Sequence, residues 1–288
     1  MAKWVSWLLA LWCTQVVALT VVDDRGVPVQ IDPSPQRIIT LLPSLAETVC
    51  MLGECNRLVG TDNHANWPAQ VKALPKLGGL DDTSLEALVR LKPDLVVLAK
   101  SSRNIQRMES LGLTVLALEP QNMADVKRVM HTLAQAMHLP NADHKADTLW
   151  LQAVHGITSA TQHVPTQAKG ASVYFEASTG GYAAGEASFI GEIMKQMGLR
   201  NIVPSSMGAF PQLNPEFVVR AKPNIILLGE PMAVQLHKRP GWSSMEAIRR
   251  QRVCAFTPAE GDVLVRPGPR LGEAAQLMAA CLQKHFKS

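Results

Sequence analysis

The chain has 288 residues, 47% of them hydrophobic, and a formal net charge of +4. Its length suggests two domains, each with enough apolar residues to bury a core. The small net charge excludes the clustered basic face of a nucleic-acid-binding protein, so we expect no nucleic-acid partner.

Residues 1–18 have the pattern of a secretory signal peptide. Lys3 supplies a positive charge, an uncharged apolar stretch follows, and small residues at 16–18 form a cleavage pattern. The apolar stretch is shorter than the ~20 residues that a membrane-spanning helix needs. Cys13 would suit a lipoprotein, but Trp12 replaces the small residue that such a site requires before its cysteine. We therefore predict a cleaved leader and a periplasmic product.

The first half of the remaining sequence alternates strand-like and helix-like segments. Apolar, β-rich runs occupy 37–42, 58–60, 95–98 and 115–118, and helical patterns occupy 44–52, 85–91, 105–111 and 125–137. Ser44, followed three residues later by Glu47, predicts an N-cap residue and a capping box at the start of the first helix. Such alternation predicts a parallel sheet that is covered by helices on both faces.

A long polar helical pattern separates the two halves. It covers 141–164, between Pro140 and Pro165, and predicts a rigid connecting helix. The alternation then resumes, with strands at 171–175 and 225–228 and helices at 188–198 and 272–286. The predicted fold is α/β, with two Rossmann-like lobes of parallel sheet, at 19–140 and 165–288, joined by one long interdomain α-helix.

The two halves also repeat each other. Residues 86–98 and 216–228 match in kind at every position, at an offset of 216 − 86 = 130, and a second pair matches 47–53 with 192–198. Glu86 and Glu216 fall at equivalent places in the first turn of a helix, where negative charge is favoured. The sequence therefore predicts two homologous lobes that face each other across a cleft.

Four cysteines follow the leader: Cys50, Cys55, Cys254 and Cys281. An even number in an oxidising compartment favours disulfides. Cys50 and Cys55 flank a helix end closely enough to bridge, and Cys254 in a strand could meet Cys281 in the last helix. Free buried thiols are the alternative, and the spacing fits no zinc pattern, so we predict no metal site.

Several short motifs, in this order, resemble the helical-backbone class of periplasmic binding proteins of ABC importers. They are Leu42-Pro43-Ser44-Leu45-Ala46-Glu47, Leu58-Val59-Gly60, Asn66-Trp67-Pro68, Leu77-Gly78-Gly79 and Leu91-Lys92-Pro93-Asp94-Leu95-Val96. The resemblance covers nearly the whole mature chain and is strongest to the cobalamin-binding members. The class also serves haem and ferric siderophores.

The resemblance implies a function in binding and delivery rather than in catalysis. It implies a monomer without a cofactor that captures a corrinoid between its lobes and delivers it to an ABC permease and its ATPase. One exposed glutamate on each lobe, Glu86 and Glu216, would dock onto the permease. The alternatives are a haem or ferric-siderophore binder of the same class and, further away, a metallocluster enzyme of similar two-lobed fold.

The ligand-binding residues that the sequence and the resemblance suggest lie on loops. Trp67 is expected to offer a flat aromatic face to a macrocycle. At glycine-rich turns we expect the backbone to come close to the ligand. The candidates are Asn63, His64, Trp67, Gly79, Lys100, Tyr182, Phe210 and Arg266. The cobalamin binders have tryptophan near the position of Gly79, and haem binders often place a tyrosine there, so neither pattern is complete in this chain.

Overall fold

The computed structural model describes residues 19–31 and 34–286, so the predicted leader lies outside the described residues. The strands are β1 (Leu19–Val22), β2 (Pro28–Ile31), β3 (Ile38–Thr40), β4 (Leu58–Thr61), β5 (Leu95–Leu98), β6 (Val115–Ala117), β7 (Ser172–Ser178), β8 (Tyr182–Ala183), β9 (Arg200–Asn201), β10 (Ile225–Gly229) and β11 (Val253–Phe256). The helices are α1 (Pro43–Met51), α2 (Leu85–Arg90), α3 (Ile105–Ser110), α4 (Met123–Ala136), α5 (Ala142–Gln162), α6 (Phe189–Gln196), α7 (Pro215–Ala221), α8 (Glu230–Ala233), α9 (Glu246–Arg249), α10 (Pro258–Val265) and α11 (Leu271–His285).

The part of the chain before α5, which we call the N-lobe, contains a four-stranded sheet in the order β4-β3-β5-β6. All neighbouring strands in it are parallel. The sequence of β5 is Leu-Val-Val-Leu with every side chain buried, as expected for a strand covered on both faces. Strands β1 and β2 form a separate antiparallel hairpin.

The part after α5, the C-lobe, repeats this topology. Its parallel strands run in the order β9-β7-β10-β11, which is the N-lobe order with each strand replaced by its later counterpart. The short strand β8 pairs with β7 in the antiparallel direction and has no counterpart in the first sheet. The prediction of two homologous parallel-sheet lobes is thereby confirmed.

Helix α5 is the long connector, and it lies within the predicted segment 141–164. Its buried residues recur every three or four positions and form one face; they are Ala146, Leu149, Ala153, Ile157 and Ala160. That face packs against α4 of the N-lobe and α11 of the C-lobe. One buried apolar cluster consequently extends from the N-lobe through α5 into the C-lobe.

The repeated helix–strand units end their helices slightly earlier than the sequence suggests. The lysine after each helix, Lys92 or Lys222, adopts a left-handed backbone conformation, with φ of 47° and 48°. A proline follows each lysine and disfavours helical geometry in the residue before it. The helices therefore stop at Arg90 and Ala221.

Both expected disulfides are present. Cys50 is bonded to Cys55 at the end of α1, and Cys254 in β11 is bonded to Cys281 in α11. The first bridge closes a short loop within one lobe, whereas the second fixes the last helix to the edge of the C-lobe sheet.

Candidate functional site

A cavity of about 350 Å³ lies between the two lobes. The N-lobe contributes Leu42, Ser44, His64, Leu80, Ser101 and Glu119 to its walls. The C-lobe contributes Asp262, Val265, Arg266 and Pro267. The cavity is therefore an interlobe cleft, as the duplicated fold predicts.

The N-lobe wall is formed where parallel strands end. Ser101 follows β5 and Glu119 follows β6, so the two residues meet at the carboxyl edge of the sheet. The Glu119 carboxylate accepts a hydrogen bond of 2.9 Å from the Ser101 backbone N–H. Glu119 thus holds the neighbouring loop and brings a negative charge to the cleft.

A compact loop after β4 presents His64 to the cavity. Asp62, which is 2% exposed, accepts a 2.7 Å hydrogen bond from the His64 backbone N–H. The Lys76 ammonium donates to the Ala65 carbonyl at 2.5 Å. Burial raises the pKa of the Asp62 carboxyl, whereas the His64 hydrogen bond acts in the opposite direction. The loop is therefore held by its own polar contacts, and the His64 ring remains exposed.

Arg266 lines the cavity from the C-lobe but is only 6% exposed. Its guanidinium donates to Glu47 at 2.7 Å, to Asn66 at 2.9 Å and to the His64 carbonyl at 2.9 Å. An ion pair with Asp262 at 2.8 Å completes its contacts. The arginine that the resemblance assigns to ligand contact is therefore engaged by the protein itself.

Glu47 is the buried partner of this arginine. It lies in α1 and is 1% exposed. Burial raises the pKa of its carboxyl, although the hydrogen bond and positive charge of Arg266 lower it. Within the described part of the chain, one carboxylate oxygen of Glu47 has no hydrogen-bond partner.

The three candidate aromatic residues lie outside the cavity wall among the described residues. The Trp67 ring is covered by the Arg270 guanidinium, 4.6 Å from the ring centroid. Phe210 packs against Phe189, with 6.0 Å between ring centroids. Tyr182 is 42% exposed on β8. None of these three rings therefore belongs to the described wall of the cavity.

The remaining candidates on the N-lobe lie beside the cleft. The Asn63 side chain accepts a 3.1 Å hydrogen bond from the Gly78 backbone N–H. The Gly79 backbone N–H donates to Asp82 at 2.5 Å, so it is occupied within its own turn. Lys100 is exposed, directly after a residue that lines the cavity. These three contribute to the loops rather than to the described wall.

Glu86 and Glu216 occupy equivalent exposed positions. Each is the second residue of its helix, α2 or α7. The side chain of the preceding N-cap residue, Ser84 or Asn214, accepts a hydrogen bond from the backbone of the first turn. The repeat thus places one exposed carboxylate at the same point of each lobe.

Sequence reasoning did not select Glu119, Asp262 or Ser101. The signal for Glu119 and Ser101 was present, because each follows a predicted parallel strand and ligand crevices form at such ends. Asp262 has no such signal, since it lies in a short helix of the C-lobe. The capping box predicted for Ser44 and Glu47 is wrong, because α1 begins at Pro43 with Leu42 as its N-cap and no side-chain cap hydrogen bond. Glu47 instead forms an ion pair with a residue 219 positions away.

Cys254, Cys281 and His285 are the described residues whose side chains converge as a metal site would. Their potential ligand atoms lie within 4.8 Å of one another. The two sulfurs are bonded to each other, however, and a cysteine sulfur binds a metal ion as a free thiolate. This convergence is explained by the disulfide.

Comparison with known proteins fits this geometry. A family model described as a periplasmic binding protein matches residues 38–259. The chain belongs to the periplasmic binding protein family. The ABC transporter substrate-binding lipoprotein YvrC of Bacillus subtilis is 28% identical over 277 residues, with 92% of this chain and 86% of that protein covered.

Two further relatives of this periplasmic binding protein have names that include a ligand. The vitamin B12-binding protein of Pectobacterium atrosepticum is 23% identical, with 86% of this chain and 88% of that protein covered. The haem-binding protein BhuT, in complex with two haems, superimposes with a TM-score of 0.71 at 25% identity and covers 86% of this chain and 98% of its own.

The family membership establishes the general function. The chain is a solute-binding protein of an ABC importer rather than an enzyme, and it acts outside the cytoplasm. Its partners are accordingly the permease and ATPase of an importer. Among the described residues, the structure contains no helix long and apolar enough to cross a membrane.

Proposed function

We propose that this protein captures a corrinoid, with cobalamin as the specific ligand, in the interlobe cleft and delivers it to an inner-membrane permease. The proposal includes export to the periplasm by a cleaved signal peptide. The observation that carries it is the charge of the cavity wall. The named relatives that bind vitamin B12 support the same ligand class.

The described cavity wall has little positive charge to offer an anionic ligand. Its arginine, Arg266, is already paired with two carboxylates, Glu47 and Asp262. Glu119 adds a further carboxylate to the wall. Haem propionates and anionic ferric siderophores would require free cationic groups, because bidentate pairing with arginine is the strong mode of carboxylate recognition. A corrinoid, whose periphery consists mainly of neutral amides, has no such requirement.

The size of the cavity implies that the lobes move when ligand binds. Its volume of about 350 Å³ is near the lower end of the range of about 300–1,000 Å³ for small-molecule pockets. A corrinoid with its nucleotide arm is a large ligand, so it would enter only after the lobes separate. Because a continuous helix joins the lobes, we expect a hinge motion of limited extent.

The ligand assignment is tested by isothermal titration of the purified protein with cyanocobalamin, hemin and a ferric catecholate siderophore. We expect one cyanocobalamin site with sub-micromolar affinity, equivalent to more than about 8 kcal/mol. Saturation by hemin or by the siderophore without a response to cyanocobalamin would overturn the corrinoid assignment. Binding of none of the three would also contradict it.

The docking role that we propose for Glu86 and Glu216 is tested separately. Exposed ion pairs contribute about 0–1 kcal/mol each, so two carboxylates would set orientation and association rate more than affinity. The double variant Glu86→Ala/Glu216→Ala should bind ligand normally and lose uptake into cells. Glu246→Ala, which changes another exposed first-turn glutamate, is the matched control and should transport normally. Loss of ligand affinity in the double variant would place the pair in the cleft instead.

A further inference from the structure

The first helix of each lobe carries a glutamate that reaches the other lobe. Glu47 of α1 bonds to Arg266 of the C-lobe at 2.7 Å. Glu192 of α6 accepts a 2.7 Å hydrogen bond from the Met123 backbone N–H at the start of α4, in the N-lobe. The sequence repeat pairs 47–53 with 192–198, so the two contacts are symmetry-related crossings of one interface.

The partners of the two glutamates differ in a way that separates their roles. Met123 offers a backbone N–H at the first turn of a 14-residue helix, a group whose position is fixed by that helix. A neighbouring backbone hydrogen bond of 2.9 Å, from Phe189 to Gln121, reinforces the same junction. Arg266, by contrast, is a long side chain that lines the cleft. At the Glu192 crossing the partner is a backbone group fixed by a helix, whereas at the Glu47 crossing both partners are side chains that can move.

We propose that Glu47 is a positioning residue that holds Arg266 across the cleft and thereby latches the two lobes, while Glu192 is the fixed anchor of the same interface. Among the described N-lobe groups that hydrogen-bond Arg266, Glu47 is the charged one, since the others are the Asn66 amide and the His64 carbonyl. Hydrogen bonds between ionised groups are about twice as strong as neutral ones. The latch therefore depends chiefly on the Glu47 charge.

The latch also keeps Arg266 in its place in the wall. Without Glu47, the guanidinium would retain its ion pair with Asp262, which belongs to the C-lobe itself. The bonds of Arg266 to the Asn66 amide and the His64 carbonyl, and the 2.7 Å bond from Asn66 to Asp262, would remain across the cleft without the Glu47 charge. Arg270 of the C-lobe, whose guanidinium lies 3.6 Å from Glu47, would also lose its electrostatic attraction to the N-lobe. The conformation in which the cavity measures about 350 Å³ is the latched one.

The test compares Glu47→Gln with Glu192→Gln. Glutamine keeps a carbonyl oxygen in both places, so Glu192→Gln can still accept the Met123 N–H bond, whereas Glu47→Gln removes the charge that Arg266 pairs with. Spin labels at Arg90→Cys and Arg220→Cys, which are exposed and equivalent in the repeat, report the distance between the lobes. The measurement is pulsed electron–electron double resonance on ligand-free protein, with circular dichroism as the check on folding.

We expect a longer and broader interlobe distance distribution in Glu47→Gln and an unchanged distribution in Glu192→Gln. A folded Glu47→Gln protein with the parental distance distribution would overturn the latch. A lower melting temperature alone would not support it, because a purely structural role for Glu47 also predicts lower stability. An equal change in both variants would also contradict the distinction between latch and anchor.

The latch also predicts a change in the rate of ligand association. This second prediction rests on the proposed function, whereas the latch itself is independent of it. Stopped-flow mixing with cyanocobalamin should give a several-fold faster association rate for Glu47→Gln than for Glu192→Gln. Failure of both the parent and the variants to bind cyanocobalamin, with the distance change present, would contradict the corrinoid assignment and leave the latch supported. Binding with equal rates and equal distances would contradict the latch alone.

Discussion

Gly156 of α5 and Gly272 of α11 face each other at the point where the two helices cross. A Cβ atom added to Gly156 would lie 2.7 Å from the Gly272 Cα, and one added to Gly272 would lie 2.9 Å from the Gly156 Cα. Both obstacles are backbone atoms, which cannot rotate away. The crossing therefore requires a residue without a side chain on both helices.

Gly272→Ala should destabilise the protein by about 1–3 kcal/mol, the usual effect of overpacking a tight contact. The higher helix propensity of alanine, worth up to about 1 kcal/mol over glycine, does not offset the clash. Gly261→Ala in α10 is the control, since nothing lies within 4 Å of its Cβ position and the change should be neutral or stabilising. Chemical denaturation measures both, and equal stability of the two variants would contradict the close crossing.

A buried ion pair stabilises the C-lobe at the end of β7. Arg239 makes two hydrogen bonds to Glu176, of 2.6 and 2.8 Å, and the Glu176 side chain is fully buried. Arg239→Met should destabilise the protein by about 3–5 kcal/mol, because it leaves an unpaired buried carboxylate. The double variant Glu176→Gln/Arg239→Met should recover part of that loss. A double variant whose loss equals the sum of the two single losses would show that the pair is not coupled.

The two disulfides should differ in their contribution to stability. Cys254–Cys281 spans 27 positions and Cys50–Cys55 spans 5. On the chain-entropy model these loops correspond to about 3.5 and about 2 kcal/mol. Thermal unfolding of Cys254→Ser/Cys281→Ser should therefore begin at a lower temperature than that of Cys50→Ser/Cys55→Ser. The reverse order would mean that strain or residual structure outweighs loop length.

His131 links α4 to the connector helix through two aspartates. Its ring nitrogens lie 3.2 Å from an Asp143 oxygen and 3.1 Å from an Asp147 oxygen. The His131 hydrogen bond holds the pKa of Asp143 below its usual 3.8. The pKa of Asp147 is also lowered: burial would raise it, but hydrogen bonds from Lys127 and His131 prevail.

Because these pKa values are lower in the folded state, the aspartates stabilise it above their unfolded values of about 3.8. That contribution disappears as the pH falls through the lowered values. His131→Gln should raise both pKa values in an NMR titration, and His144→Gln, an exposed change on α5, should leave them unchanged. Identical titrations of Asp143 in the His131 variant and the parent would contradict this role.

The fold was predictable because its signals are local and repeated. Runs such as Leu95–Leu98 define buried strands, and the offset of 130 between the Glu86 and Glu216 blocks identifies two copies of one unit. The cleft was predictable from topology alone, since both sheets must present their carboxyl ends to it.

The roles of the side chains around the cleft were harder to predict, because they depend on contacts between residues far apart in sequence. Arg266 looked like a free ligand-binding group, and only the structure shows that Glu47 and Asp262 engage it. Trp67 looked like a stacking surface, and the Arg270 guanidinium covers it. Residue type identifies what a side chain can bind, whereas three-dimensional packing decides which partner it takes.

The position of α11 has a consequence for the order in which the protein folds. The last helix covers one side of α5, and its residues are made more than 100 positions after that connector. The strands and helices of the N-lobe all precede α5, so this lobe can form its sheet before the last helix is in place. Helix α5 can pack against α4 at that stage, but the part of its apolar face that contacts α11 stays uncovered until α11 is available. We therefore expect the packing of α11 on α5, which completes the contact between the two lobes, to be a late step of folding.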